Sequence, residues 1–257
     1  MSQRRYELTD EQWEQIRDLF PPYRTGRPPK LGNRSMFNAI LWIARSGAPW
    51  RDLPERYGSW KTVYSRFCIW RDRGVLSNIF HAVNDEADHE NLSIDSTSIR
   101  AHQHSAGAKK GALNHENNQH IGVSRGGKTT KIHTIVDGLG NPLLFELTGG
   151  NKYDSLPACD MLSRLEIAEI NILGDKAYGS QVIREYITAR GASYTIPPRE
   201  NIKNSWKVDW YVYKERHLVE CFFSKLKHFR RVATRYDKLA ISFLAFVYVA
   251  SVFKLTQ

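Results

Sequence analysis

The sequence predicts an α/β protein, a mixed sheet flanked by helices and preceded by a small all-helical region. Three observations carry that expectation. Apolar residues recur at helical spacing through residues 1–85, and from Leu92 onward short β-type runs alternate with helical ones. With 41% hydrophobic and 25% charged residues the balance is that of an ordinary globular chain, which excludes disorder as the default. The order strand, hairpin, helix, strand, helix, strand, helix is that of a layered α/β domain. The expected division is a helical domain over residues 1–85 and a sheet domain over residues 90–257.

In the helical part, Thr9 followed by Gln12 is a capping-box pattern. Trp13, Ile16, Leu19 and Phe20 then recur at helical steps until Pro21-Pro22 ends the helix. Gly26 to Gly32 is a basic, proline-rich connector that cannot be helical throughout. A second helix is expected over Asn33 to Ser46, burying Phe37, Ile40, Leu41 and Ala44. After the loop from Pro49 to Gly58, Ser59 stands as N-cap of a third helix reaching Arg73. Its apolar stripe is Trp60, Val63, Tyr64, Phe67 and Trp70, and its other face carries Lys61, Thr62, Ser65, Arg66 and Arg73. A helix-turn-helix reader of DNA needs that division, with one stripe in the core and donors such as Lys61 and Arg66 facing phosphates and base edges. A plain helical bundle with a solvated basic face has the same pattern, and the pattern by itself favours the bundle.

In the sheet part, Leu92-Ser-Ile-Asp-Ser-Thr is a short β-type run. Thr130 to Val136 and Pro142 to Thr148 are two strands joined by Asp137-Gly-Leu-Gly-Asn, a hairpin signal. A helix over Leu156 to Leu165, a strand over Ile170 to Leu173, a helix over Ser180 to Arg190 and a strand over Ser193 to Ile196 follow. A long helix from Glu215 to Arg231 and a last one from Lys238 to Leu255 complete the pattern. The segment Ser105 to Gln119, rich in Gly, Ala, Asn and Lys, reads as a mobile loop.

The charge narrows the function. Net +10 with an isoelectric point near 9.5 creates a field that favours a polyanion, either nucleic acid or an anionic surface. A membrane role is not expected: no apolar stretch follows the basic N-terminal residues, and the run Ala240 to Phe253 is shorter than the ~20 residues a spanning helix needs. Cys68, Cys159 and Cys221 are scattered, with no CxxC pair and no disulfide framework, so a reducing, cytoplasmic setting is expected.

Two aspartates, Asp95 and Asp175, stand where predicted strands meet polar residues. Carboxylates on adjacent strand ends can share hard divalent cations, although an aspartate in that position is more often a turn former or cap. A stronger signal lies further on. Tyr213, Arg216, Glu220 and Lys227 are spaced 3, 4 and 7 apart, which aligns them on one helical stripe. A surface pair between Arg216 and Glu220, worth ~0.3–0.5 kcal/mol, would give the same spacing, and spacing does not decide between the two. Gly122 to Thr129 satisfies a P-loop pattern, but no apolar strand precedes it and a strand rather than a helix follows. A basic, glycine-rich loop in which Arg125 and Lys128 meet DNA backbone fits better. His102, His104, His115, His120 and His133 have no cysteine among them, and a structural zinc site is not expected.

The combined motifs resemble the DDE transposases of bacterial insertion sequences, in particular the insertion-sequence-five family. Resemblance is carried by Ser93-Ile-Asp95-Ser-Thr, Ser124 through His133, Gly174-Asp175-Lys-Ala-Tyr178, Ile196-Pro-Pro-Arg-Glu200 and Tyr213 through Arg231. The Tyr-(2)-Arg-(3)-Glu-(6)-Lys signature falls on Tyr213, Arg216, Glu220 and Lys227. Leu8 to Trp13 and Gly47 to Pro54 are similar to the DNA-binding region of that family, so the resemblance spans nearly the whole chain. It implies an RNase H-like catalytic domain in which Asp95, Asp175 and Glu220 hold two Mg²⁺ (or Mn²⁺) ions. It also implies that Arg216, Lys227 and Tyr213 contact DNA, that terminal inverted repeats and target DNA are the partners, and that at least a homodimer acts on DNA near the bacterial nucleoid. Two departures stand out, Cys221 where an arginine is expected and Val123 where a basic residue is common. The rival functions are a non-catalytic DNA-binding regulator and an RNase H-like metal-dependent nuclease or resolvase.

Overall fold

A computed structural model describes residues 6–22, 31–84, 90–106, 119–200, 202 and 205–257. Residues 26–30 of the basic connector and residues 107–118 of the polar loop, His115 included, lie outside the described residues. The chain forms two compact units: residues 1–85, 101–119 and 226–257 make the first, residues 86–100 and 120–225 the second. The C-terminal segment, residues 226–257, groups with the helical unit rather than with the sheet.

The helical unit begins with α1 (Asp10–Ile16), opened by the capping box in full: Thr9 Oγ1 accepts from the Gln12 amide and Gln12 Oε1 from the Thr9 amide. Then come α2 (Asn33–Ser46), α3 (Trp60–Asp72) and α4 (Val75–Ala82), the last of which the sequence pattern did not anticipate. Gly47 ends α2 in the left-handed region, where a Cβ would stand 3.0 Å from Arg230 Cβ. In α3, Val63, Phe67 and Trp70 are buried as expected, whereas Tyr64 is exposed.

The helical unit's centre is the last helix, Ala240–Leu255. It has almost no polar face, and such a helix has to bury most of its surface. That requirement explains why the C-terminal segment joins the first unit. Phe246 stacks on Phe67 with ring centroids 4.7 Å apart, and Ser242 accepts a 2.7 Å hydrogen bond from Arg71 Nη1. Arg231 and Asp237, both buried, pair at 2.9 Å nearby in the same unit.

The second unit is built on β1 (Asn91–Ala101), β2 (Gly122–Ser124), β3 (Gly127–Val136), β4 (Pro142–Gly149), β5 (Asn171–Leu173) and β6 (Ser193–Thr195). β3 runs antiparallel to β1 and β4 antiparallel to β3, while β5 pairs parallel to β1 and β6 parallel to β5. The sheet is mixed, as expected. β2 pairs with the start of β3, so Gly122 to Thr129 is a strand, a turn and a strand, and no helix opens there. Asp137 shapes the hairpin turn by accepting from the Leu139 and Asn141 amides at 3.0 and 2.7 Å.

Helices cover both faces. Ile94, Ile135 and Leu144 lie in register and pack with Met161 and Leu162 of α5 (Ala158–Ser163) and Ile183 and Ile187 of α6 (Gln181–Ala189). Successive strand residues point to opposite faces, so Asp95, Thr134 and Phe145, also in register, face the other way. There Phe222 stacks on Phe145 at 5.9 Å.

The expected helix over Glu215–Arg231 is instead three pieces. After α7 (Trp210–Tyr213), a 3₁₀ turn (Lys214–Arg216) leads into α8 (His217–Lys227), and α9 (Arg230–Ala233) follows a break. Asp209 caps α7, accepting from the Tyr211 and Val212 amides. Phe229 leaves helical geometry to bury its ring beneath the Arg45 guanidinium, 4.2 Å away. β7 (Thr234–Arg235) and the apolar helix α10 (Ala240–Leu255) complete the chain. No helix among the described residues is long and apolar enough to cross a membrane.

Replacing Phe246 with alanine removes a fully buried ring from the helical unit. The expected loss is about 3–5 kcal/mol of unfolding free energy, measured by urea denaturation. A loss below about 1 kcal/mol would contradict a central place for α10.

Candidate active site

Asp95 lies in the middle of β1, not at its end: the strand runs on to Ala101, and over Ser98–Ala101 exposed and buried residues alternate. Its side chain is 17% exposed. Asp95 Oδ1 accepts from the Ser96 amide at 2.7 Å, and Oδ2 accepts from Arg216 Nη1 at 3.1 Å. Burial pushes this carboxyl up to about 6. The Ser96 amide and Arg216 pull the other way, while the charges of Asp175 and Glu220 push it further up. Asp95 therefore shares one electrostatic environment with both other acids.

The parallel pairing of β1 with β5 explains the proximity of Asp175. Ser93 is paired with Leu173; Asp95 stands two residues further along β1, and Asp175 stands two residues past Leu173, just beyond the end of β5. Between Leu173 and Asp175, Gly174 lets the chain pass closely: a Cβ there would meet Tyr178 Cβ at 3.2 Å and Ile94 Cγ2 at 3.4 Å. Asp175 also caps the turn Lys176–Tyr178, its Oδ1 accepting from the Ala177 amide at 2.8 Å. The ordinary role of a strand-end aspartate is thus present beside the proximity to Asp95.

Glu220 occupies the first turn of α8 and is half exposed. It accepts from Arg216, four residues earlier. The pair expected from helical spacing exists, but Arg216 uses its other arm to reach Asp95 on β1. One guanidinium thus bridges two carboxylates that lie far apart in sequence. Burial opposes its charge, yet Glu220, Tyr213 and Asp95 outweigh burial and hold Arg216 above its ordinary value. Its plane lies 5.8 Å from the Tyr213 ring at the end of α7.

The other expected DNA-contacting residues are not drawn into this cluster. Lys227 is exposed at the last position of α8. Arg125 and Lys128 are exposed on the β2–β3 turn. Lys61 and Arg66 lie on α3 of the helical unit, where Lys61 is exposed and Arg66 leans over the Trp70 ring at 5.9 Å. Of the histidines, His133 is fully buried on β3 and His102 faces His104 at 4.5 Å. Cys221 is exposed beside Glu220.

Sequence patterns missed a further set of residues. Asp154, in the turns after β4, accepts from the Ser96 hydroxyl and, at 2.8 Å, from Lys131 Nζ. Tyr178 is fully buried; burial above all, and then the charges of Asp95, Asp154 and Asp175, hold its hydroxyl well above its ordinary value, while the Ser96 hydroxyl pulls the other way. No signal in Asn151-Lys-Tyr-Asp-Ser separates Asp154 from a turn former.

The site's donors are carboxylate oxygens, which suit hard divalent cations. Among the described residues no three His, Cys, Asp or Glu side chains converge as a ready metal-binding group. Asp95 and Glu220 instead share the Arg216 cation, so the place already attracts positive charge.

The comparisons agree with this chemistry. A family model described as "Transposase DDE domain" matches residues 86–253, and a model of IS4/5-family transposases matches residues 8–80. A Brucella ovis protein provisionally named as a transposase for insertion sequence element IS6501 is 37% identical over 126 residues, covering 48% of this chain and 94% of its own length. The uncharacterized protein y4sN of Sinorhizobium fredii is 49% identical over 104 residues, covering 40% of this chain and 83% of its own. In fold, the chain is similar to a piggyBac transposase in a synaptic complex with hairpin DNA, at a TM-score of 0.53 and 11% identity, over 94% of this chain and 68% of that one. The mixed sheet flanked by helices is accordingly of the RNase H-like transposase type, and its family uses divalent metal. The chain belongs to the DDE transposase family and is a DNA transposase of the IS4/5 kind.

Proposed function

We propose that Asp95, Asp175 and Glu220 are the three acids of this transposase's active centre, acting on double-stranded DNA at terminal inverted repeats. The observation that carries this assignment is the bridge: Arg216 joins Asp95 of β1 to Glu220 of α8, while Asp175 follows the end of the adjacent parallel strand β5 and adds its charge at Asp95. All three acids add negative charge to one partly buried place, which makes that place selective for cations.

Two Mg²⁺ or Mn²⁺ ions held by these carboxylates would supply Lewis-acid stabilisation of the attacking and leaving oxygens at phosphorus. Asp95 serves in its ionised form, which predominates above about 6. Arg216 is the counter-ion of the free protein, and it exchanges its carboxylate partners for a DNA phosphate when the substrate arrives. Tyr213, beneath the guanidinium, limits where Arg216 can swing, and Lys227 adds a further phosphate contact. Arg125 and Lys128 on their exposed turn, and Lys61 and Arg66 on α3, are proposed to hold the DNA backbone elsewhere.

Two in-line displacements follow. In the first, a water oxygen bonds to phosphorus, the P–O3′ bond at the element's end breaks, and a free 3′-OH and a 5′-phosphate result. In the second, that 3′ oxygen bonds to a target phosphorus and the target strand is released with its own 3′-OH. Joining two ends requires at least two copies of the chain.

Purified protein incubated with DNA bearing the element's inverted repeats and Mg²⁺ should cleave at the ends, and pre-cleaved ends should be joined to target DNA. Alanine at Asp95, Asp175 or Glu220 should each reduce both reactions by roughly a thousandfold or more. Normal cleavage by any of these variants would remove that residue from the centre, and cleavage without joining would favour a nuclease.

The raised Asp95 carboxyl makes a separate prediction about stability. Its ionised form is penalised in the folded chain and free in the unfolded one. The stabilising contribution is therefore complete only below its ordinary 3.8 and is lost as pH rises through about 6. Metal-free Asp95→Asn protein, which cannot ionise there, should melt about 6–12 °C above wild type at pH 8, with the gap closing towards pH 4. A wild type that melts higher at pH 8 would contradict the electrostatic description of the site.

A further inference from the structure

The face of β1 opposite Asp95 carries a second polar group of side chains. Ser96 follows Asp95 and points to the other side of the sheet. Its hydroxyl donates to Asp154. Lys131 of β3 donates to the same Asp154 oxygen at 2.8 Å and to the Lys152 carbonyl at 2.7 Å, so the turn after β4 is clamped to two adjacent strands. His133, directly across from Ser96, is fully buried and donates or accepts at 2.7 Å with Thr148 Oγ1. Burial pushes His133 down to about 4, so it is neutral and leaves the Asp154 charge to Lys131.

We propose that Asp154 is a positioning residue for Asp95, acting through Ser96. Adjacent strand residues cannot rotate independently: turning the backbone at Asp95 also swings Ser96 on the opposite face. The Ser96–Asp154 hydrogen bond, held in turn by Lys131, locks that coupled rotation from behind. Asp95 is held in front by the Ser96 amide and Arg216. The front contact to Arg216 is the one that substrate binding withdraws, so the rear clamp is what keeps Asp95 in place during the reaction. Asp154 itself touches neither substrate nor reacting atoms in this role. The proposal rests on Asp95 being an active-centre acid.

The full chain carries the test, as a double-mutant cycle of Ser96→Ala and Asp154→Ala in the Mg²⁺ cleavage assay. Each single variant is expected to lower kcat by about ten- to a hundredfold, the scale of a small misplacement of a reacting group. KM for the DNA end should stay within about twofold, and the double variant should be no worse than the worse single one. Asp154→Asn keeps an acceptor for the Ser96 hydroxyl and should recover most of kcat, which a residue acting only as a fold prop through its charge would not. Wild-type kcat in Ser96→Ala, effects that multiply in the double variant, or Asp154→Asn as impaired as Asp154→Ala would each overturn the proposal. Should Asp154→Ala not fold, Ser96→Ala and Asp154→Asn decide between the same outcomes. Asp95→Ala run alongside separates the two levels: if it cleaves normally, the assignment of the centre fails, whatever Asp154 does.

Discussion

A carboxylate placed inside a strand has to be compensated, and at Asp95 the compensation comes from a segment 121 residues later in the chain. Taking that acid out of water raises its pKa, and the neighbouring Asp175 and Glu220 charges raise it further. Arg216 is what makes the arrangement tolerable. To supply it, the chain must bring the turn before α8 against the β1 face, and Phe222 against Phe145 secures that approach. Removing Arg216 would leave both carboxylates uncompensated, which is why the bridge and the packing of α8 depend on each other.

The same site illustrates how backbone devices set the distances that side chains need. Parallel register aligns β1 with β5, whose end at Leu173 lies two residues before Asp175, and Gly174 allows the tight passage beside the Tyr178 ring. Asp175 then spends one oxygen on capping its own turn, which fixes its orientation. An active-centre acid and a structural cap are the same residue here. Where a site combines ordinary structural duties with chemistry, the residue type alone cannot reveal the chemistry, and the arrangement must.

Much of the fold was legible because its signals are local. The capping box at Thr9 and the hairpin around Asp137 each rest on residues within a few positions of one another. The spacing of Arg216 and Glu220 was legible for the same reason. What could not be read was long-range. The break at Phe229 follows from burying its ring under Arg45, and the membership of α10 in the helical unit follows from its having almost no polar face. Asp154 escaped notice because its partners Ser96 and Lys131 lie on two other strands, and pairing across a sheet leaves no trace in the sequence around it. Periodicity also carried one helix too far, since the stretch Glu215 to Arg231 takes in the end of a 3₁₀ turn, α8 and the start of α9.

The central claim is that Arg216 stands in, in the free protein, for the positive charge that Asp95, Asp175 and Glu220 require. Mn²⁺ titration followed by electron paramagnetic resonance, without DNA and at pH 7.5, tests it most directly. Arg216→Gln should bind Mn²⁺ at least about fivefold more tightly than wild type, because the competing charge is gone while the carboxylates remain. Equal or weaker binding in Arg216→Gln, with the variant folded, would contradict the account.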